Sequence, residues 1–96
     1  MRRPSAHKRR DANEASIIAA LRAAGATVEQ LSGPRIPDLL VGFNGWNYLV
    51  EVKTPKGKLE PGQEEWHRSW RGDVVCVVRE AADALKMLGL EARKRA

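Results

Sequence analysis

Asn44-Gly45 stands between two apolar runs, Leu39 to Phe43 and Trp46 to Val52, and no other feature of the sequence limits the fold so tightly. Asn-Gly between such runs is the strongest short-range signal for a β-hairpin, because both central residues of a type I′ turn need positive φ. With these two residues as the loop the register follows: Phe43 faces Trp46, Val41 faces Tyr48, Leu39 faces Val50 and Asp38 faces Glu51. Strand side chains alternate between faces, so Leu39, Val41, Phe43, Trp46, Tyr48, Val50 and Val52 share one apolar face that must be covered. The other face carries Asp38, Leu40, Gly42, Asn47, Leu49, Glu51 and Lys53, apolar in the middle and charged at one end.

Around the hairpin the other elements follow from periodicity. From Asp11 to Ala24, Ile17, Ile18, Leu21 and Ala24 recur at helical spacing, with Asp11 or Asn13 as the cap and Gly25 as the stop. Ala26 to Leu31 alternates like a strand at or next to a sheet edge and ends at Ser32-Gly33-Pro34. Thr54 to Lys58 is a loop, and a second helix starts near Pro61 and runs through Gln63, Trp66 and Trp70 to Gly72. Asp73 to Val78 predicts a strand buried on both faces, and Glu80 to Leu88 a third helix with Ala81, Ala84, Leu85 and Leu88 on one side. The expected fold is α/β, a mixed sheet flanked by helices in the order α-β-β-β-α-β-α.

A chain of 96 residues has room for one core and no separate cofactor-binding module. Its net charge of +5 makes nucleic acid a leading partner class, but the excess lies at the ends. Residues 1–10 hold Arg2, Arg3, Lys8, Arg9 and Arg10 without an acid, and residues 91–96 hold Arg93, Lys94 and Arg95 against Glu91. Residues 11–90 have nine basic and eleven acidic residues, a balance of −2. The expected organisation is a basic tail over 1–10, a domain over 11–90 and a basic tail over 91–96; the tails either grip DNA or are merely solvated. Cys76 is the sole cysteine, so no internal disulfide forms, and with His7 and His67 it makes no zinc set. No signal peptide or membrane span is expected, and the chain reads as a reduced, cytoplasmic protein.

The charged end of the hairpin is the anomaly. Opposed side chains have Cβ atoms about 4.5–5.5 Å apart, where like charges destabilise a sheet. A divalent cation between Asp38 and Glu51 offsets that cost, and their oxygens suit a hard ion such as Mg²⁺. Lys53 projects from the same face and can place or activate a water, or offset charge building on a phosphate. The alternative is a surface ion-pair cluster of little energetic consequence; the interruption of apolar strands at one end and the Pro37 before Asp38 favour the metal.

Pro37-Asp38, then Glu51-Val52-Lys53, resembles the PD-(D/E)XK nuclease motif, and the order of elements is similar to that restriction-endonuclease-like core. The wider string is more specific: Asn13-Glu14, Pro37-Asp38-Leu39-Leu40-Val41-Gly42, Glu51-Val52-Lys53-Thr54, Lys58-Leu59-Glu60-Pro61-Gly62-Gln63 and Trp66. Together these look like the small stand-alone VRR-NUC domains of phages and bacteria, over roughly residues 11–89. The resemblance implies a Mg²⁺-dependent endonuclease acting on DNA, Mn²⁺ substituting, with branched or four-way (Holliday) junction DNA as substrate. It implies Asp38 and Glu51 as metal ligands with the Val52 carbonyl as a third, Lys53 acting on the water or phosphate, Glu14 completing the acidic cluster and Gln63 orienting the site. Arg35-Ile36 departs from the glycine that related sequences often carry before Pro37. A non-catalytic nucleic-acid-binding or assembly module on the same fold is the alternative, against which the complete set of acids and lysine weighs.

Lys56, Lys58 and Arg35 are the expected phosphate contacts within the domain, with a solvated loop as the competing reading. Trp66 and Trp70 are expected to pack on the sheet or a partner subunit rather than stack on bases. Trp46 either wedges into a junction or sits in a dimer interface. His67 is expected to be exposed and Cys76 a buried small hydrophobe. Symmetric resolution of a junction needs two cuts, so a homodimer is expected.

Overall fold

The computed structural model describes residues 10–90, and the two basic tails lie outside the described residues apart from Arg10. The elements occur in the expected order: α1 (Glu14–Ala23), β1 (Thr27–Gln30), β2 (Leu39–Phe43), β3 (Trp46–Val52), α2 (Pro61–Ser69), β4 (Cys76–Val78) and α3 (Ala81–Met87). They form one four-stranded sheet in the order β1-β2-β3-β4. Both β1–β2 and β2–β3 are antiparallel, and β3–β4 is parallel. The hairpin register is the one the turn dictates, Leu39 opposite Val50 through Phe43 opposite Trp46. Asn44 and Gly45 take φ values of 52° and 85°, as a type I′ turn requires.

One sheet face is the core. Leu39, Val41, Val50 and Val52 from the hairpin meet Val28 of β1 and Val78 of β4, and all pack against Ile17, Ile18 and Leu21 of α1 and Ala84 and Leu88 beside α3. That coverage stops short of the turn, where Trp46 is 65% exposed although it shares this face. Helices α1 and α3 pack on one another, α1 also against β1 and α3 against β4.

Three expectations need correction. Strand β4 is shorter than Asp73 to Val78 and is not buried on both faces: Val77 is exposed and Val74 is 77% exposed. It is a sheet edge. Cys76 is accordingly half-buried rather than buried. Asn13 takes the N-cap position of α1, as expected, but makes no side-chain cap hydrogen bond: its Nδ2 donates to the Lys53 and Arg79 carbonyls and its Oδ1 has no partner. No described helix is long and apolar enough to cross a membrane.

Candidate active site

The site is built where four elements end together. Asp38 is the residue before β2, and its backbone N–H donates at 2.9 Å to the carbonyl of Val50, the residue already paired with Leu39, so the ladder shifts by one here and the expected in-register pairing of Asp38 with Glu51 does not form. The Asp38 side chain then reaches along β3: its Oδ2 accepts the Val52 N–H at 2.7 Å. The contact Val52 makes here is thus through its N–H. A backbone N–H bonded to a carboxylate is a charge-assisted bond worth about 1.5–3 kcal/mol, and it fixes which oxygen faces away. That oxygen, Oδ1, lies 3.5 Å from Arg10 Nη1.

Glu14, in the first turn of α1, is 3% exposed. Its Oε2 accepts from Gln30 Nε2 at 3.0 Å and lies 3.2 Å from Arg10 Nη1. Gln30 projects from the β1 face that also carries Val28, the face on which α1 packs. The Arg10 guanidinium spans Glu14 and Asp38 and is anchored by Nη2 donating to the Leu31 carbonyl at 2.9 Å. Glu51 is 1% exposed and turns instead to α2. Gln63 Nε2 donates to its Oε2 at 3.0 Å, and His67 Nε2 stands 3.3 Å from its Oε1. Gln63 is itself held, because its Oε1 accepts from the Glu60 N–H as half of a capping box at the α2 N-terminus.

Each carboxylate is therefore oriented by a neutral amide donor: Glu14 by Gln30, Asp38 by the Val52 backbone, Glu51 by Gln63. Neutral donors fix position without cancelling the negative charge. His67 behaves in the same way, since burial, helped by the positive charge of Lys53, lowers its pKa from the usual 6.5. The expectation of an exposed His67 fails; its side chain is 14% exposed because α2 presents it to Glu51 one turn after Gln63.

Lys53 follows β3 directly. Its N–H donates to Val78 and its carbonyl accepts from Asn13 Nδ2 at 3.1 Å, while the same Nδ2 donates to the Arg79 carbonyl at 2.7 Å. Asn13 thus ties the ends of β3 and β4 together at the head of α1. Arg79 Nη1 in turn donates to the carbonyls of Thr54 and Gly57, at 2.7 and 2.6 Å, and holds the loop bearing Lys56 and Lys58. Lys56, Lys58 and Arg35 are exposed. The stem of Arg35 lies where a Cβ on Gly62 would come within 3.0 Å of its Cδ, so the glycine makes room for it against α2.

Among the described residues, no three His, Cys, Asp or Glu side chains converge closely enough as they stand to hold an ion. The reason is visible in the pairing: Glu14 and Asp38 share Arg10, whereas Glu51 is drawn to α2. The donor set nevertheless fits a hard cation. Glu14 Oε1 is buried and has no hydrogen-bond partner. A buried polar atom without a partner costs about 1–3 kcal/mol, and a divalent ion among carboxylate oxygens relieves that cost.

Trp66 and Trp70 do not sink into the sheet; no residue of α2 is buried. Their rings stack on each other, centroids 4.8 Å apart and 13° from parallel. Trp70 also lines a cavity of about 370 Å³ with Leu40, Leu49 and Val74 on the sheet face opposite the core.

No family model matches the sequence, and no curated protein matches it. A solved structure described as a VRR_NUC domain is similar to this chain, with a TM-score of 0.67 and 30% sequence identity over 79% of this chain and 89% of that one. With that similarity and the α-β-β-β-α-β-α order, the chain belongs to the VRR_NUC family and is a nuclease-like domain.

Proposed function

We propose that this protein is a metal-dependent endonuclease that hydrolyses phosphodiester bonds in DNA, with branched or four-way junction DNA as its substrate. The observation that carries this reading is the gathering of Glu14, Asp38 and Glu51, all buried, beside Lys53 in a nuclease-like domain. Three carboxylates withdrawn from water are costly for stability alone. Asp38 and Glu51, with the Val52 carbonyl, would hold Mg²⁺, and Mn²⁺ would substitute. A bound ion lowers the pKa of a coordinated water and offsets charge on the phosphate.

The remaining work falls to the chain itself. Hydrolysis needs a water in line with the leaving oxygen, a proton removed from that water and one supplied to the leaving group. Lys53, its backbone held on both sides, orients the water or offsets charge on the phosphate. Gln63 and Gln30 keep Glu51 and Glu14 in place, and Glu14 completes the acidic cluster. Lys56, Lys58 and Arg35 contact the DNA backbone, which positions the strand without reading sequence.

One chain of this size covers one scissile phosphate, so symmetric cleavage of a junction calls for a homodimer. The apolar strip of Leu40, Trp70, Val74 and Val77, which nothing among the described residues fully covers, supports that state. A non-catalytic DNA-binding module is the competing reading, and the Arg10 guanidinium beside Glu14 and Asp38 is the observation in its favour.

The deciding experiment is cleavage of linear duplex, flapped and four-way DNA with Mg²⁺ or EDTA. The wild type should cut four-way DNA only with Mg²⁺. Asp38→Ala should fall to the EDTA level and Lys53→Ala should lose about 10²–10⁴-fold. Equal cleavage by the variants removes the catalytic assignment, and no cleavage by wild type favours the binding module.

A further inference from the structure

We propose that His67 is a positioning residue of the candidate site, its imidazole fixing the Glu51 carboxylate in the orientation in which it ligates a divalent cation. This rests on the metal-dependent reading above and adds to it a residue to which that reading gives no role.

The geometry is a two-point hold from one helix face. Gln63 and His67 lie four residues apart on α2 and so project from the same side. Gln63 takes Glu51 Oε2 at 3.0 Å, and His67 Nε2 stands at Oε1, 3.3 Å away. An ionised carboxylate has only acceptors, so the facing imidazole nitrogen carries the hydrogen and donates it. The terminal torsion of glutamate is broad, and a donor on each oxygen restrains it. His67 is not part of a packed core, since no residue of α2 is buried; its side chain is 14% exposed beside the carboxylate. The contact also survives the competing claim on Gln63, whose Oε1 is already committed to the Glu60 N–H. Loss of such an outer partner of a metal ligand typically weakens metal binding 10–100-fold.

The test uses the full chain, Mn²⁺ binding by titration calorimetry in the absence of DNA, and the Mg²⁺ dependence of cleavage. The contact is made by Nε2, which a glutamine amide reaches and an asparagine amide does not. His67→Ala and His67→Asn should therefore weaken Mn²⁺ binding about tenfold or more, with a matching rise in the Mg²⁺ needed for half-maximal cleavage. His67→Gln should restore both to within about threefold of wild type, and metal-free melting temperatures should not follow this order. Undiminished Mn²⁺ binding in His67→Ala and His67→Asn overturns the role of His67 and leaves the metal reading intact. Equal weakening in His67→Gln also overturns it, since the donor is then irrelevant. Wild type that binds no Mn²⁺ overturns both.

Discussion

Arg10 illustrates how one side chain can shape a site it does not belong to. Its guanidinium stands at Asp38 Oδ1, the oxygen left over once Oδ2 has taken the Val52 N–H, and at Glu14 Oε2. A divalent ion held by Asp38, as proposed, would compete with this guanidinium for the carboxylate. An ion pair of this partly exposed kind is worth about 1 kcal/mol or less. Arg10→Ala should then tighten Mn²⁺ binding by up to roughly fivefold, measured by calorimetry without DNA; unchanged or weaker binding would show that Arg10 does not stand in the ion's way. Asp38, Glu51 and Lys53 are singled out in the sequence by a short motif, and Glu14 and Gln63 by the wider resemblance. Arg10 and Gln30 are not, since each meets the site only through the packing of α1 on the face of Val28. His67 leaves a usable signal: it lies one turn after Gln63, and a helix that aims one residue at a carboxylate aims the next turn there too.

At the scale of elements the hairpin is legible from Leu39 to Val50, because turn chemistry and side-chain alternation point to the same register. Gly45 should be the sensitive position. A Cβ there would meet nothing within 4 Å, so Gly45→Ala costs only the positive φ, about 1–2 kcal/mol, seen as a lower denaturant midpoint at unchanged slope. Strand β4 misleads because a run of Val and Cys looks the same at a sheet edge as at its centre, whereas its burial differs. Cys76 keeps some of that burial, which with the Asp73 charge raises its thiol pKa. It should therefore react with iodoacetamide at pH 7.5 more slowly in the native protein than in urea, and equal rates would sink this account. The loop after β3 owes its shape to Arg79. Arg79→Ala should speed tryptic cleavage after Lys56 and Lys58 at little change in melting temperature, because the three carbonyls it draws together lose their shared donor.

The whole molecule separates two charges. Residues 11–90 carry −2, as suits a domain that gathers carboxylates, while the positive excess lies in the tails. Removing residues 1–9, which spares Arg10, should flatten the slope of log affinity for DNA against log salt by about 0.9 for each phosphate that the tail neutralises. Cleavage at saturating DNA should persist, and its disappearance would place the tail inside the site. The same scale decides assembly: Val74→Asp, at a residue 77% exposed, should leave the fold intact and convert a dimer to monomers in sedimentation. An unchanged sedimentation coefficient would move the interface elsewhere.

The bridge made by Asn13 has a consequence in time. The hairpin that sets Asp38 against Val52 spans only 14 residues, so it can form on the microsecond scale of local structure. Asn13 must find Arg79 across 66 residues, and Lys53 gains its parallel neighbour only with Val78. During synthesis from the N-terminus, therefore, the carboxylates can be in place while the lysine's backbone is still unpinned. A ribosome-bound chain that has not yet released residue 79 holds the candidate site incomplete, and the finished protein pins the Lys53 backbone among the last of its folding steps.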